Sequence, residues 1–435
     1  MKRPAIAFCA ALLFAACTGA ALAEEYRLSL SDAIGRTLES SLLLQALDLN
    51  LEAKKRSRDY VWNSFIPRMG LNGAMARMNE APTAAADHWN VSAGFSAQLD
   101  LSLALVQGIR STSLEYDAGL IDRRTAEAQV KRDVKKSYYN LIVLQESARI
   151  LEQSLETARR RYEQARRNYE TGIGSEFELL SAQVAWENLK PALEEQAIAY
   201  QTAELSFKQL LGLKRTDTIR LLDPLRITTV EVDAETLIRD RVASRLDIQA
   251  LRQAIAIQRN TRNLQRRATY TPLLSLIYTI DPTFAGDPFR DPWFQDPAGD
   301  WSQPTGMFAV NLSLSLDALL PFSSTAVKIA NMESGIAEME KTLSQSRQAA
   351  ELEIESLVLQ LRKTQASMEV LELNVRLAEK SYELAEKGFA TGALERLELD
   401  DADNKLSSAR NQVLRTKFTY ITTLLDLEYA VGALE

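Results

Sequence analysis

The chain alternates between two hydrophobic rhythms. From residue 89 to 103 the period is two. Trp89, Val91, Ala93, Phe95, Ala97, Leu99, Leu101 and Leu103 take the odd positions; Asn90, Ser92, Gly94, Ser96, Gln98, Asp100 and Ser102 take the even ones. Such alternation predicts a strand with one apolar and one polar face. About 15 residues of it extend roughly 50 Å, long for a globular strand and suited to a tilted strand that crosses a membrane and continues beyond it. A second strand of this kind is expected at 308–317, with Phe308, Val310, Leu312, Leu314 and Leu316 on one face and Ala309, Asn311, Ser313, Ser315 and Asp317 on the other.

From about 108 to 171 the period becomes seven. Val134, Leu141, Ala148, Leu155, Tyr162 and Tyr169 form one row, and Val130, Ser137, Leu144, Leu151, Ala158, Ala165 and Gly172 a second. The two rows predict a coiled-coil seam on a helix roughly 95 Å long. A partner helix is expected at 176–211, through Ala182, Trp186, Leu189, Leu193, Tyr200, Ala203, Phe207 and Leu210, with a kink at Pro191. Ahead of the strands, 31–66 reads as one helix capped by Ser31 and Asp32, with Leu38, Leu42, Leu49 and Ala53 on its apolar side and Pro67 ending it. A further strand is expected at 68–78, and 212–233 reads as an irregular connector containing Pro224.

The same plan then recurs. Ser244–Leu251 parallels Ser40–Leu47, and Pro272 takes the place of Pro67. Ile354, Leu361, Met368, Val375, Tyr382 and Phe389 form a third heptad row 220 positions after the first, and Ala402, Tyr420 and Gly432 fall on Ala182, Tyr200 and Gly212 at the same offset. This in-register match implies an internal duplication, with a first repeat at 24–222 and a second at 223–435. Two short stretches, 169–174 and 389–394, mark the tips of the paired long helices, where Gly172 and Gly392 stand at the expected stops. The repeats differ at 281–306, a longer loop with Asp-Pro at 281, 287, 291 and 296 and with Phe284, Phe289, Trp293, Phe294 and Trp301. It reads either as a proline-stiffened surface loop or as an ordered loop that narrows an opening.

Composition narrows the class. Hydrophobic residues make up 46% of the chain but aromatic ones only 7%, as suits long Ala- and Leu-rich helices. Residues 1–23 read as a secretory signal: Lys2 and Arg3, an apolar run from Ile6 to Phe14, then Ala21-Leu22-Ala23 before Glu24. A lipobox at Phe14–Cys17 is the competing reading. Both cysteines, Cys9 and Cys17, fall in this segment, so the remainder has no thiol, disulfide or cysteine-based metal site. Without Lys2 and Arg3 the balance is 49 basic to 58 acidic residues, net −9, which argues against a nucleic-acid partner. No later stretch is apolar for the ~18 residues that a membrane helix needs. The one histidine, His88, has no second ligand near it, so neither a metal site nor an enzyme is expected. The basic run Arg159–Arg161 with Arg166 and Arg167, interleaved with Glu156, Glu163 and Glu170, reads as the solvated face of a coiled coil.

Four two-faced strands cannot close around a lumen, and a bilayer tolerates no open strand edge. Copies of the chain are therefore expected to associate in a ring. The duplicated order of elements, the Pro67 and Pro272 junctions, the Tyr169–Gly172 and Phe389–Gly392 tips, Leu-Leu-Gly at 210–212 and Ala-Val-Gly at 430–432 together resemble the TolC-like outer membrane efflux channels over the whole chain after the signal. The resemblance implies a mainly α fold with membrane β, in which long coiled-coil α-helical hairpins and four strands per protomer build a homotrimer with a 12-stranded barrel and a periplasmic tunnel. It implies an exit duct for small molecules or proteins, working with a periplasmic adaptor and an inner-membrane pump, without a cofactor. The alternative is a periplasmic coiled-coil adaptor or scaffold without a pore, which leaves the alternating strands unexplained.

The resemblance also implies site residues. Aligned on Gly392, the acidic ring of the aperture falls on Glu398 and Asp401, and the first tip's counterpart on Glu178. Carboxylate rings favour cations and repel anions. The other reading is of acidic residues in the first turn of a helix, where the dipole favours them. Adaptor docking falls on Thr171, Gly172, Ile173, Thr391, Gly392 and Ala393. The family's closed state uses a Tyr and an Arg near the second tip as a latch. This chain has Phe389 and Leu394 there, with Arg396 two residues off, so that latch is not expected.

Overall fold

The computed structural model describes residues 25–79, 89–284, 287–302, 306–316 and 319–432. The expected signal with Cys9 and Cys17, His88, Asp317 and parts of the 281–306 loop lie outside them. In chain order the elements are β1 (Glu25–Leu28), α1 (Leu30–Ser40), α2 (Leu42–Asp59), β2 (Arg68–Arg77), β3 (Trp89–Leu101), α3 (Ala104–Glu170), α4 (Glu176–Leu210), β4 (Thr218–Leu221), α5 (Ala234–Arg241), α6 (Leu246–Tyr270), β5 (Leu273–Ile280), β6 (Thr283–Phe284), α7 (Pro297–Asp300), β7 (Met307–Ser313), α8 (Ser324–Ala390) and α9 (Arg396–Ala430). The long helices come in pairs of equal length, 67 residues for α3 and α8 and 35 for α4 and α9. At 1.5 Å per residue the longer ones extend about 100 Å. Among the described residues no helix is long and apolar enough to cross a membrane.

Two compact units draw on both halves of the chain. One holds, of the described residues, 25–40, Val134–Ile227 and Asn374–Phe418. In it, β1 and β4 pair in parallel from Glu25↔Thr218 to Leu28↔Leu221, so the connector expected to be irregular contains a strand. The Tyr138 hydroxyl, fully buried, donates to the Leu28 carbonyl at 3.1 Å and accepts from the Asp223 amide at 3.1 Å, tying both strand ends to α3. This is a long-range pairing of two four-residue strands, too short to show a period in sequence.

The helix expected at 31–66 is instead α1, α2 and a 3-10 turn, Val61–Phe65. Ser29, and not Ser31, opens α1: its hydroxyl accepts from the Asp32 amide while the Asp32 carboxylate accepts from the Ser29 amide. Ser41 breaks the run because its side chain accepts from the Leu44 amide and starts α2. The expected apolar side is also displaced. Leu42, Leu49 and Ala53 are exposed, and Leu44 is the residue that α2 buries.

The other unit holds Ser41–Asp133, Thr228–Leu373 and Thr419–Glu435. Its sheet runs in the order β2-β3-β5-β7, all antiparallel. One register carries the apolar face across four strands: Leu71, Phe95 and Ile280 stand level, as do Met69, Ala97, Tyr278 and Phe308, and then Leu99, Leu276 and Val310. A slip by one residue would mix the faces. β7 begins at Met307 and ends at Ser313, short of the expected 308–317. β5 is interrupted at Asp281-Pro282, since Pro has no N–H for the ladder, and β6 resumes the pairing with β3 at Thr283↔Ser92 and Phe284↔Val91.

The loop beyond β6 is ordered around its aromatic residues. Phe284 is buried against Trp293 and Trp301, with ring centroids 5.6 and 5.5 Å away, and the Trp301 indole N–H donates to the Trp293 carbonyl at 2.7 Å. In the same unit, Ile354, Val358, Leu427, Ala430 and Val431 form a core that also takes in Val242.

Candidate functional site at the hairpin tips

Each long helix pair turns through a similar chain reversal. After α3 the backbone enters the left-handed region at Gly172, φ 73°, and after α8 at Gly392, φ 75°. The amides of Ile173 and Gly174 both donate to the Asn168 carbonyl, and those of Ala393 and Leu394 to the Gly388 carbonyl. These bonds satisfy the last carbonyls of the descending helix. The hydroxyls of Thr171 and Thr391 donate to the carbonyls of Arg167 and Lys387, 3.0 and 3.2 Å away. Thr171, Gly172, Ile173, Thr391, Gly392 and Ala393 are all exposed at these reversals.

The ascending helices start differently. Ser175 and Glu178 form a reciprocal capping box: the Ser175 hydroxyl accepts from the Glu178 amide and the Glu178 carboxylate accepts from the Ser175 amide, both at 3.2 Å. At the second tip Glu395 stands in place of the serine. The Glu398 carboxylate accepts from its amide at 3.3 Å, but the Glu398 amide turns to the Glu395 carbonyl. Glu178, Glu398 and Asp401 are exposed, and Asp401 pairs with Lys405 one turn on. The carboxylates of Glu178 and Glu398 thus serve their own helix starts.

The group that joins the two tips comes from the basic run read in the sequence as a solvated face, and it is not solvated: Arg161 is 16% exposed. Arg161 of α3 reaches α9, donating to Asp400 at 2.8 Å and to Asp403 at 3.2 Å, with the Tyr382 hydroxyl of α8 at 3.5 Å. Its neighbours in the basic run, Arg159, Arg160 and Arg166, pair along α3 with Glu163, Glu156 and Glu170 and stay exposed, as expected for a solvated face. Arg161 departs from them because it lies on the inner row that also carries Ser147 and Ser154. Ser154 meets Ser407 at 2.7 Å and Ser147 meets Asn411 at 3.0 Å. The α3–α9 joint therefore has polar pairs every seven residues. The seven-residue spacing of 147, 154 and 161 was the available signal.

Burial governs the charges in this joint. It pushes Asp403 up from its ordinary value, against the pull of Arg161 and with a further push from Asp400. It also lowers Arg396, whose guanidinium lies 3.7 Å from Asp400 and near Arg161. Arg396 is packed inward instead of reaching across the tip as a latch. A cavity of about 390 Å³ adjoins the joint, lined among others by Ser154, Tyr382, Glu383, Asp403 and Arg410. By contrast, the seams within each hairpin are mainly apolar or aromatic: Tyr162 stacks on Trp186 at 5.2 Å, and Ala385, Leu399 and Ala402 form a small core with Tyr382, beside single polar bonds from Gln196 to the Leu144 carbonyl and from Arg410 to Glu379.

The tips are exposed and small. Among the described residues no group of His, Cys, Asp and Glu could hold a metal ion.

Comparison with known proteins addresses the whole chain. No curated protein matches its sequence. The fold matches the channel CusC with a TM-score of 0.77 at 16% identity, over 92% of this chain and 91% of that one. It matches the CmeC outer membrane channel of Campylobacter jejuni with a TM-score of 0.77 at 15% identity, over 93% and 85%. It matches the outer membrane protein VceC of Vibrio cholerae with a TM-score of 0.75 at 16% identity, over 93% and 96%. The model of the outer membrane efflux protein family matches residues 33–213 and 237–433, one stretch in each half. The chain belongs to that family, and it is an outer membrane efflux channel and not an enzyme.

Proposed function

We propose that three copies of this chain close into one continuous exit duct, in which a 12-stranded barrel in the outer membrane opens into a helical tunnel in the periplasm. The observation that carries this reading is the sheet. Its order leaves β2 and β7 as open edges, and its register puts apolar side chains level on one face. In a bilayer such a face meets lipid, and edges must be paired. Four strands cannot enclose a lumen, whereas twelve can. Cyclic symmetry then pairs β7 of one copy with β2 of the next.

The hairpin tips form the periplasmic mouth. Glu398 and Asp401, with Glu178 as the first tip's counterpart, line the aperture and give it a preference for cations. Thr171, Gly172, Ile173, Thr391, Gly392 and Ala393 keep the tips narrow, so that the hairpins of a periplasmic adaptor fit between them and couple the duct to an inner-membrane pump. The chain is read as two structural repeats, 24–222 and 223–435, after a signal at 1–23.

The test is fractionation with mass analysis. The protein should extract with the outer membrane and have the native mass of a trimer that heat dissociates in detergent. A soluble monomer in the periplasmic fraction would sink the reading.

A further inference from the structure

The loop that follows β6 lies on one side of the sheet, and the register says which. Val91 of β3 stands level with Phe284 of β6, and Phe284 is bridged in turn to Trp301, so the three side chains share the apolar face. Thr283, level with Ser92, falls on the polar face. Val91 and Phe284 are each 5% exposed, whereas Leu71, Phe308 and Val310 of the same apolar face are open. The cover comes from the loop. Trp293 stacks on Phe284, Phe294 stacks on Trp301 with ring centroids 6.1 Å apart, and Phe289 meets Trp89 edge-on at 5.2 Å.

The other side of the sheet is left to polar groups. There the side chains of Asn72 and Asp281 occupy the space that a side chain at Gly94 would need. The aromatic residues of the loop are therefore folded outward over the apolar face, and not inward over the face that lines the duct.

Two features suit this outer layer to lipid. Both indole N–H groups are satisfied within the loop, Trp293 donating to the Pro288 carbonyl at 2.9 Å and Trp301 to the Trp293 carbonyl at 2.7 Å. Rings without an unmet donor enter an apolar medium at little cost. Phe289 and Phe294 are nonetheless 71% and 73% exposed, and their patch is continuous with the apolar face of β3. The carboxylates of Asp287, Asp291 and Asp300 cap the loop's own turns, accepting from the amides of Phe289, Asp287 and Asp296. Charges so close to the rings limit the depth to the headgroup level.

The strand length gives the same level. β3 leads into α3, so Leu101 is its inner end and Trp89 its outer one. An apolar band about 25 Å tall takes about ten residues of a tilted strand, which counted from Leu101 reaches Val91. Trp89 and the loop's rings then stand at the outer margin of the band, where aromatic side chains are favoured.

We propose that this loop is a lipid anchor: Phe289, Trp293 and Phe294 insert at the boundary of headgroups and acyl chains in the outer leaflet, and the loop leaves the mouth of the duct clear. The proposal rests on the barrel reading given above and adds the side that the loop takes and what it binds.

The test is spin labelling of the full chain reconstituted in vesicles of phosphatidylethanolamine and phosphatidylglycerol. The native cysteines, Cys9 and Cys17, both fall in the expected signal. A nitroxide at Phe289→Cys or Phe294→Cys should favour collision with dissolved oxygen, which concentrates in lipid, over a water-soluble nickel chelate. Their oxygen-to-nickel ratio should be several-fold higher than that of a nitroxide at Asp296→Cys. Acyl-brominated lipid should quench the tryptophan emission of the unsubstituted chain more than that of Trp293→Phe, which covers the case in which a label disturbs the loop. Phe289→Ala/Phe294→Ala should leave single-channel conductance unchanged. Trimers in the vesicles whose labels all favour nickel, with quenching indifferent to Trp293, would overturn the anchor and leave the barrel standing. A conductance raised by the double alanine variant would place the loop over the mouth and overturn the proposal. A chain that does not enter the vesicles would overturn both readings.

Discussion

The guanidinium of Arg161 lies 2.8 Å from the Asp400 carboxylate, and this contact helps to join the two hairpins near their tips. Asp403 shares the same nitrogen at 3.2 Å. Both partners come from helices whose other seams are mainly apolar, with Arg410–Glu379 and Gln196–Leu144 as polar exceptions. The joint between hairpins is thus held by charge and hydroxyl pairs, whereas each hairpin is held mainly by packing. Polar joints can part into water at less cost than apolar ones, because water replaces their bonds.

Replacing Arg161 by Ala would leave two half-buried carboxylates facing each other beside Arg396. Removing one partner of a fully buried pair costs about 3–5 kcal/mol, and partial exposure here reduces that to roughly 1–2 kcal/mol. Arg161→Ala should lower the melting temperature and raise the resting conductance of the closed channel in planar bilayers. Unchanged conductance with a lowered melting temperature would make Arg161 structural only.

Asp403 gives a pH dependence of definite sign. Its carboxyl is raised in the folded protein by burial, opposed by Arg161 on α3 and Arg410 on α9 and reinforced by Asp400. The cavity beside it also carries Glu379, Glu383 and Glu386 of α8. A raised folded value means that the native state binds this proton more tightly than the unfolded state, so the group detracts from stability above its folded value and not below its unfolded one. Asp403→Asn should therefore raise the melting temperature at pH 7, and the gain should vanish in acid below the ordinary carboxylate range. A loss at pH 7 would show that the Arg161 contact outweighs the burial.

The two helix starts at the tips differ by one hydroxyl. Ser175→Ala removes half of a capping box and should cost about 1 kcal/mol of local stability, read as faster amide exchange in the first turn of α4. Glu395→Ser supplies the missing half at the second tip and should slow exchange at the start of α9. No change in either would mean that the turns, and not the caps, hold these ends.

Gly172 and Gly392 have open space where a Cβ would stand, so their requirement is the positive φ alone. Alanine there should cost about 1 kcal/mol each, with Asn tolerated better. A bulky residue such as Trp at either position should block export while leaving the trimer intact, if adaptor hairpins fit between the tips. Export that survives both replacements would refute the docking role.

Glu398→Ala with Asp401→Ala should lower the cation selectivity of the reconstituted channel, measured as a reversal potential in a salt gradient. Selectivity that stays as it was would leave these carboxylates with the capping and Lys405-pairing roles the geometry gives them.

Much of this protein is legible from periodicity. The period of two in β3 and the period of seven in α3 and α8 fix which faces are apolar, and Gly172 and Gly392 mark where the chain must turn, because only a residue without a Cβ enters the left-handed region freely. Those signals are local and repeat often enough to be read from one sequence. Where they fail, the deciding contact is distant. β1 and β4 form because residues 193 positions apart pair in parallel, a separation that no local pattern spans.

Arg161 shows the limit most plainly. In sequence it is one of three consecutive arginines, and its neighbours behave as a solvated face. Residues one apart on a helix point about 100° away from each other, so only one of the three can face α9. The heptad pattern determines that some residue of this run lies on the inner row, and the tertiary structure decides that Asp400 and Asp403 wait opposite it. Charge pairing across a seam depends on the register of two helices more than 200 residues apart, and that register is set by packing over their whole length.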